Sequence, residues 1–393
     1  MTDDAPLTRI LADEGTARSL SRRSFLRGSA LGVVAGGVLL SGCSAAGSRP
    51  GASGSAAPLP TTLETALNIY NWAQYDDPAL IKAFGKAFGP SVQIDTYDSN
   101  EAMIAKLAAA QGTSGYDLVV PTGSYVPQLI ANKMLMRLDK ALLPNLASVD
   151  PRFLGQTWDP GNEFTVCKDW GSTGYLYDKT VIKRPMATWG DFVEAATHEA
   201  SGATAVLAEA PEMVGIYFWA RGIKWTTEAK ADLDDAEAFF VNDFAQHVKA
   251  FDSYPAIKLA QGGYALAQAW NGDARQGLLA SKDPGRYAWV LAGPKTELWM
   301  DNWAVVAGAK HPVAAHAWIN YVLDPKNSLT DMSYHGYNTG VTGIEASAKA
   351  AGLKYLDLIF FTPEQLAMLE TGAINSAEQR LLDIYNKTKA KAG

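Results

Sequence analysis

Cysteine is nearly absent: two residues in 393, at positions 43 and 167, too few for a multi-disulfide scaffold. Cys167 lies in the body of the chain and reads as a buried structural thiol. Histidine is scarce too, at 198, 247, 311, 316 and 335. His311 and His316 are five apart and share no helical face, so no metal centre is expected. Asp232, Asp234 and Asp235 lack the glycine and terminal glutamate of a calcium loop. Gly-x-Ser-x-Gly, His-Glu-x-x-His and the phosphate loop are all missing, so neither an enzyme nor a cofactor is expected. Positive charge is in deficit, with 34 Lys+Arg against 41 Asp+Glu and a net charge of −7. That argues against a nucleic-acid binder, which would show a basic face, and suits a cationic ligand. What is present is apolar mass: 48% apolar against 19% charged residues exclude global disorder and give material for two to three cored domains.

The first 42 residues read as an address. Ser21-Arg22-Arg23-Ser24-Phe25-Leu26-Arg27 precedes a weakly apolar run from Ala30 to Leu40, then Leu40-Ser41-Gly42-Cys43. Paired arginines, a short apolar core and small residues before a cleavage point make a signal peptide. The run is too short to span a bilayer, which takes about 20 residues. Arg22-Arg23 resembles the twin-arginine export signal. The Leu-Ser-Gly-Cys tetrad resembles a bacterial lipobox, with Cys43 as the lipidated first residue of the mature chain. Residues 43–66 read as a small, polar tether, with a reach of roughly 25 Å. The expected location is the outer face of the cytoplasmic membrane, on the periplasmic or cell-envelope side, held by the lipid anchor alone.

From Leu67 the pattern is β-α-β-α-β. Leu67–Trp72 reads as a strand, and Asp77-Pro78 as a cap and first-turn proline before Leu80, Ile81, Phe84 and Phe88 at helical spacing. Val92–Tyr97 is a second strand, Asn100 a cap for a helix over 101–111, and Asp117–Val120 a third strand. This is the signature of a parallel sheet covered by helices. Phe164–Lys168 and Thr173–Tyr177 read as two strands around Trp170-Gly171. Thr188 and Asp191 form a capping box, Pro211 opens a helix, and Trp270-Asn271-Gly272 reads as a turn. Trp303–Ala307 returns as a strand, and the remainder is mostly helical. Two α/β lobes fit this layout, with the chain crossing between them more than once.

The distinctive chemistry is aromatic rings beside carboxylates. Trp72 and Tyr75 follow the carboxyl end of the first strand, Thr122 and Ser124 that of the third, the edge where open α/β sheets bind ligands. Trp299 and Asp301 share a face if their segment is a strand. Glu209 and Glu212 flank a helix start, where the helix dipole would suffice to hold them. Each of these also has a plain packing or capping reading. Together they make a box of rings and acids. Rings attract cations, by about 0.5–2 kcal/mol each, and cover methylene chains, while carboxylates pair with ammonium groups. A linear aliphatic polyamine needs both.

At these residues the sequence resembles the extracytoplasmic solute receptors of polyamine ABC transporters, the spermidine/putrescine-binding proteins. The resemblance runs from about Leu67 to Lys387. It is carried by Tyr70-Asn71-Trp72-x-x-Tyr75, Thr96-Tyr97-x-Ser99-Asn100-Glu101, Tyr116–Pro121, Trp270-Asn271-Gly272 and Trp299-Met300-Asp301. It implies an α/β, two-lobed class II periplasmic-binding fold with the ligand in the interlobe cleft. Lobe 1 would be 67–165 plus 303–335, and lobe 2 would be 166–302 plus 336–393. It implies a polyamine ligand, delivery to permease subunits with a cytoplasmic ATPase, and a monomer. Carried over residue by residue, Trp72 and Tyr75 come from the first lobe and Thr122 takes a hydroxyl position, with Ser124 beside it. Glu209 and Glu212 are the acidic pair, Trp270 and Trp299 the walls, Asp301 the principal amine acceptor, and Tyr337 a cleft-lining ring. Glu209 stands where Asp is usual, Ser124 where an aromatic is common, and Ala73 replaces a frequent hydroxyl. These departures bear on preferred chain length. A receptor on the same fold for another amine or solute, or a sensor uncoupled from transport, is the alternative.

Overall fold

A computed structural model describes residues 62–110 and 114–393. The export signal, Cys43 and most of the tether lie outside the described residues. The body already begins at Leu63, which packs on the core. Next to it, the Glu64 carboxylate accepts the Val313 and Ala314 N–H groups at the start of a helix.

The first three strands are β1 (Ala66–Trp72), β2 (Ser91–Tyr97) and β3 (Leu118–Val119). β1 pairs in parallel with both others. The crossover helices are α1 (Pro78–Phe88) and α2 (Asn100–Ala109). Asp77 caps α1 through the Ala79 N–H, as its Asp-Pro start predicts. The cap of α2 is Ser99, not Asn100. Asn100 is instead buried, and its amide serves the site described below.

The expected pair of strands around Trp170-Gly171 is one strand, β4 (Thr165–Asp178), buried along its whole length. Lys168 and Asp169 interrupt its apolar pattern, which is why it reads as two pieces. The same half of the chain adds β5 (Thr204–Leu207), β6 (Val248–Asp252), β7 (Leu266–Trp270), β8 (Tyr287–Val290) and β9 (Thr296–Val305). A short β10 (Leu369–Thr371) pairs with β9. The strands run in the order β2-β1-β3-β9-β4-β7-β5-β6. β4 and β9 are the strands common to both halves. β4 pairs with β9 over Thr165–Ser172, then with β7 from Thr173 onward.

Each half has its own core. One gathers Leu67, Ile69, Leu118, Trp303 and Trp318; the other gathers Trp189, Phe192, Phe218, Trp219 and Phe240. The Thr188/Asp191 capping box forms as read, starting α3 (Trp189–Thr197). Helix α4 (Ala210–Arg221) follows β5. Trp270-Asn271-Gly272 is not a turn: Trp270 ends β7 and Asn271 opens α5 (Asn271–Ala280) without a break. Three later helices matter here: α6 (Pro312–Val322), α7 (Pro325–His335) and α8 (Glu378–Ala392).

Candidate functional site

The carboxyl ends of β1, β3, β5 and β7 converge on one cavity of about 370 Å³, at the edge where open α/β sheets take ligands. Trp72, Tyr75, Thr122, Ser124, Glu209, Glu212, Trp270, Trp299, Asp301 and Tyr337 all line it. The chain has thus brought together residues up to 265 positions apart. Its volume falls at the small end for ligand sites, which span roughly 300–1,000 Å³.

The floor comes from the crossing strands. On β9, Glu297, Trp299 and Asp301 face the cavity at a two-residue period. Across from them in register on β4 stand Asp169, opposite Asp301, and Gly171, opposite Trp299. Gly171 is required there: a Cβ would lie 2.4 Å from the Trp299 ring. The ring of Tyr337 packs edge-on against Trp299, with centroids 4.8 Å apart. It likewise rests on Gly272.

Asp301 is held from two sides. Thr122 Oγ1 donates to Oδ1 at 2.7 Å, and the single Tyr75 hydroxyl proton is shared between Asp301 Oδ2 at 2.8 Å and Asp169 Oδ1 at 2.5 Å. Asn100 fixes Thr122 in turn, donating from Nδ2 to its hydroxyl and accepting its N–H, both at 3.0 Å. Burial, then the nearby Asp169 carboxylate, pushes the Asp301 carboxyl up to about 7.

The acidic pair sits at the head of α4. Glu209 is its N-cap residue but makes no capping hydrogen bond, so the helix does not explain it. Its Oε1 is buried without a partner. Burial, with Glu101, Glu212 and Glu378 nearby, pushes its carboxyl well above the usual range. Glu212 Oε1 accepts from Trp270 Nε1 at 2.8 Å and Thr173 Oγ1 at 2.9 Å, leaving Oε2 unpartnered. Beside it, burial and then Glu212 raise Glu297 strongly.

Sequence reasoning missed Glu297, Asp273, Glu378, Trp225 and Tyr254, all of which line the cavity. Glu297 was within reach, being two residues before Trp299 on the same strand. The lining carries six carboxylates, Glu209, Glu212, Asp273, Glu297, Asp301 and Glu378, and no Lys or Arg among the described residues. Burial pushes Asp273 and Glu378 each up to about 7. So many buried acids repel one another, and a ligand with several positive charges relieves them.

A cleft of this make, at the strands common to two α/β halves, defines a two-lobed solute receptor of the periplasmic-binding type. A model of the bacterial extracellular solute-binding proteins matches residues 79–354, and the chain belongs to that family. It is therefore an exported solute-binding protein, not an enzyme. It is 30% identical to the putrescine/agmatine-binding protein of Pseudomonas aeruginosa, over 70% of this chain and 78% of that one. It is 31% identical to the spermidine/putrescine-binding periplasmic protein of Escherichia coli, over 70% and 77%. The crystal structure of the spermidine/putrescine ABC transporter substrate-binding protein PotD from Streptococcus pneumoniae superposes with a TM-score of 0.70 at 25% identity. That match covers 84% of this chain and all of that one.

Proposed function

We propose that this chain is a lipid-anchored receptor that captures a polyamine of the putrescine/spermidine class and hands it to an ABC importer. The observation that carries the ligand class is the cavity lining, which among the described residues has six carboxylates, several aromatic walls and no Lys or Arg. An anionic or zwitterionic solute would want a basic residue there. The relatives' ligands, putrescine, agmatine and spermidine, are all aliphatic polycations. The ten residues named from sequence form the binding site in this reading, with Asp301 the principal amine acceptor and rings stacking on the methylenes.

Residues 67–165 plus 303–335 make one lobe and 166–302 plus 336–393 the other. The lobes close on the ligand by bending about β4 and β9, and the permease reads the closed form. Cys43 carries the lipid after twin-arginine export, and the receptor works as a monomer. Isothermal calorimetry on protein refolded to strip carried-over ligand tests the ligand class. Putrescine, spermidine or spermine should bind one-to-one, and arginine and a sugar should not; silence from all three amines with folded protein overturns the reading. Changing Cys43 to Ala should move the protein from the membrane to the soluble fraction. Unchanged membrane retention would remove the anchor.

A further inference from the structure

Besides Glu209, one further carboxylate in the cavity has no structural task among the described residues. Glu378 opens α8, and a first-turn glutamate is ordinarily explained by the helix dipole or by bonding back to the amide groups at the helix start. Glu378 does neither job of capping: the cap residue is Ala377, and no side-chain cap is formed. The residue is only 7% exposed, and what it faces is the cavity. No described residue hydrogen-bonds its carboxylate, and no cation opposes it. Glu101, bonded by the Tyr125 hydroxyl, adds a like charge that, after burial, raises the Glu378 carboxyl. An acid buried beside an acid is unfavourable in the empty protein, so its presence needs a positive partner.

The position of Glu378 relative to the other acids matters. Glu378 comes from α8, whereas Glu209 and Glu212 come from the head of α4 and Glu297 and Asp301 from β9. Glu212 and Glu297 share the Thr173 hydroxyl, at 2.9 and 3.3 Å, and Asp301 is held by Thr122. The cavity therefore holds three acidic stations on different elements. One is Asp301 on β9, one is Glu212 of α4 with Glu297 of β9, and one is Glu378 on α8, while Asp273 is engaged by the Ala256 N–H. A diammonium ligand can satisfy two stations and leaves the third repelling itself.

We propose that Glu378 is a specificity-determining residue that receives a third ammonium group, so that this receptor selects a triamine or longer polyamine over a diamine. The proposal rests on the polyamine reading above. The test is calorimetry of the wild-type protein and Glu378→Gln with 1,4-diaminobutane, spermidine and spermine. The amide keeps the size and removes only the charge. Spermidine and spermine should each lose about tenfold or more in affinity, and the diamine should change by less than about twofold. Equal losses for all three amines, or none for any, would overturn the role of Glu378. Wild-type protein that binds no amine would instead overturn the polyamine reading itself, so the two failures are distinct. The variant should melt no lower than wild type when ligand-free, since a repelling charge has been removed; a lower melting point would mean Glu378 is structural and would likewise overturn the proposal.

Discussion

Asp301 does two things at once: it ties the two strand systems of the site together and presents charge to the cavity. Thr122 and Tyr75 reach it from the first half of the sheet while it stands on β9. An amide at this position keeps the shape but loses the charge-assisted bond to an ammonium, worth about 1.5–3 kcal/mol. Asp301→Asn should therefore weaken amine binding more than about tenfold in calorimetry; unchanged affinity would remove Asp301 from the site. Gly171 tests the aromatic wall at the same scale. A methyl there would sit 2.3 Å from Asn271 Oδ1 and 2.4 Å from the Trp299 ring, and neither is free to give. Gly171→Ala should cost about 1–3 kcal/mol of stability by overpacking and should also lower amine affinity by tilting Trp299. A variant as stable and as tight-binding as wild type would show the wall to be soft.

At the scale of elements, β4 is the most informative, because its sequence hides it. The register of β4 against β9 shifts between Cys167 and Asp169, which leaves Lys168 on a bulge, fully buried. Its Nζ reaches Asp76 and Asp331 at 3.2 Å, Asp169 at 3.4 Å and the Tyr75 carbonyl at 2.9 Å. Those acids raise its pKa against the opposing pull of burial. Charged residues read as surface or loop in one dimension, and partners 92 and 163 positions away cannot be seen there. The parallel β1-β2-β3 unit, the α1 cap and the cavity rings were legible, because each rests on local pattern or a short word. Glu297 was legible in principle from strand alternation; Glu378 and Lys168 were not, since only tertiary contact gives them meaning. Lys168→Met strips three buried carboxylates of their counter-charge, a loss that typically costs about 3–5 kcal/mol. Urea denaturation should show a drop of that size, and a change under about 1 kcal/mol would mean the acids simply take up protons.

At the scale of the whole molecule, the ligand-free receptor is held back by its own site. Asp273, Asp301 and Glu378 are pushed up to about 7 by burial first, and burial likewise pushes Glu209 and Glu297 well above the usual range. In the unfolded chain these carboxyls titrate near 4. Above that value the folded state holds more protons than the unfolded one, so its stability falls as pH rises. The contribution is fully present below about pH 4 and is lost as pH climbs through 7. Asp331, whose carboxyl is held below the usual range chiefly by Lys168 against the opposing effect of burial, loses its contribution only in acid. His316, lowered by burial, acts below its ordinary value of about 6.5. Asp331 does not oppose the trend between pH 6.5 and 8, and His316 opposes it only weakly, through the last half-proton its unfolded form gives up just above pH 6.5. An ammonium ligand reverses it, because the acids that receive the ligand must be ionised and their charge is then paired. The ligand-free protein should melt lower at pH 8 than at pH 6.5, while the rise in melting temperature on adding saturating spermidine should be larger at pH 8. Calorimetry at pH 7 in two buffers of different ionisation enthalpy should show protons released on binding. A free protein that gains stability toward pH 8, or binding without proton release, would mean that the acids are already charged in the empty site and that their mutual repulsion is screened by water rather than by protons.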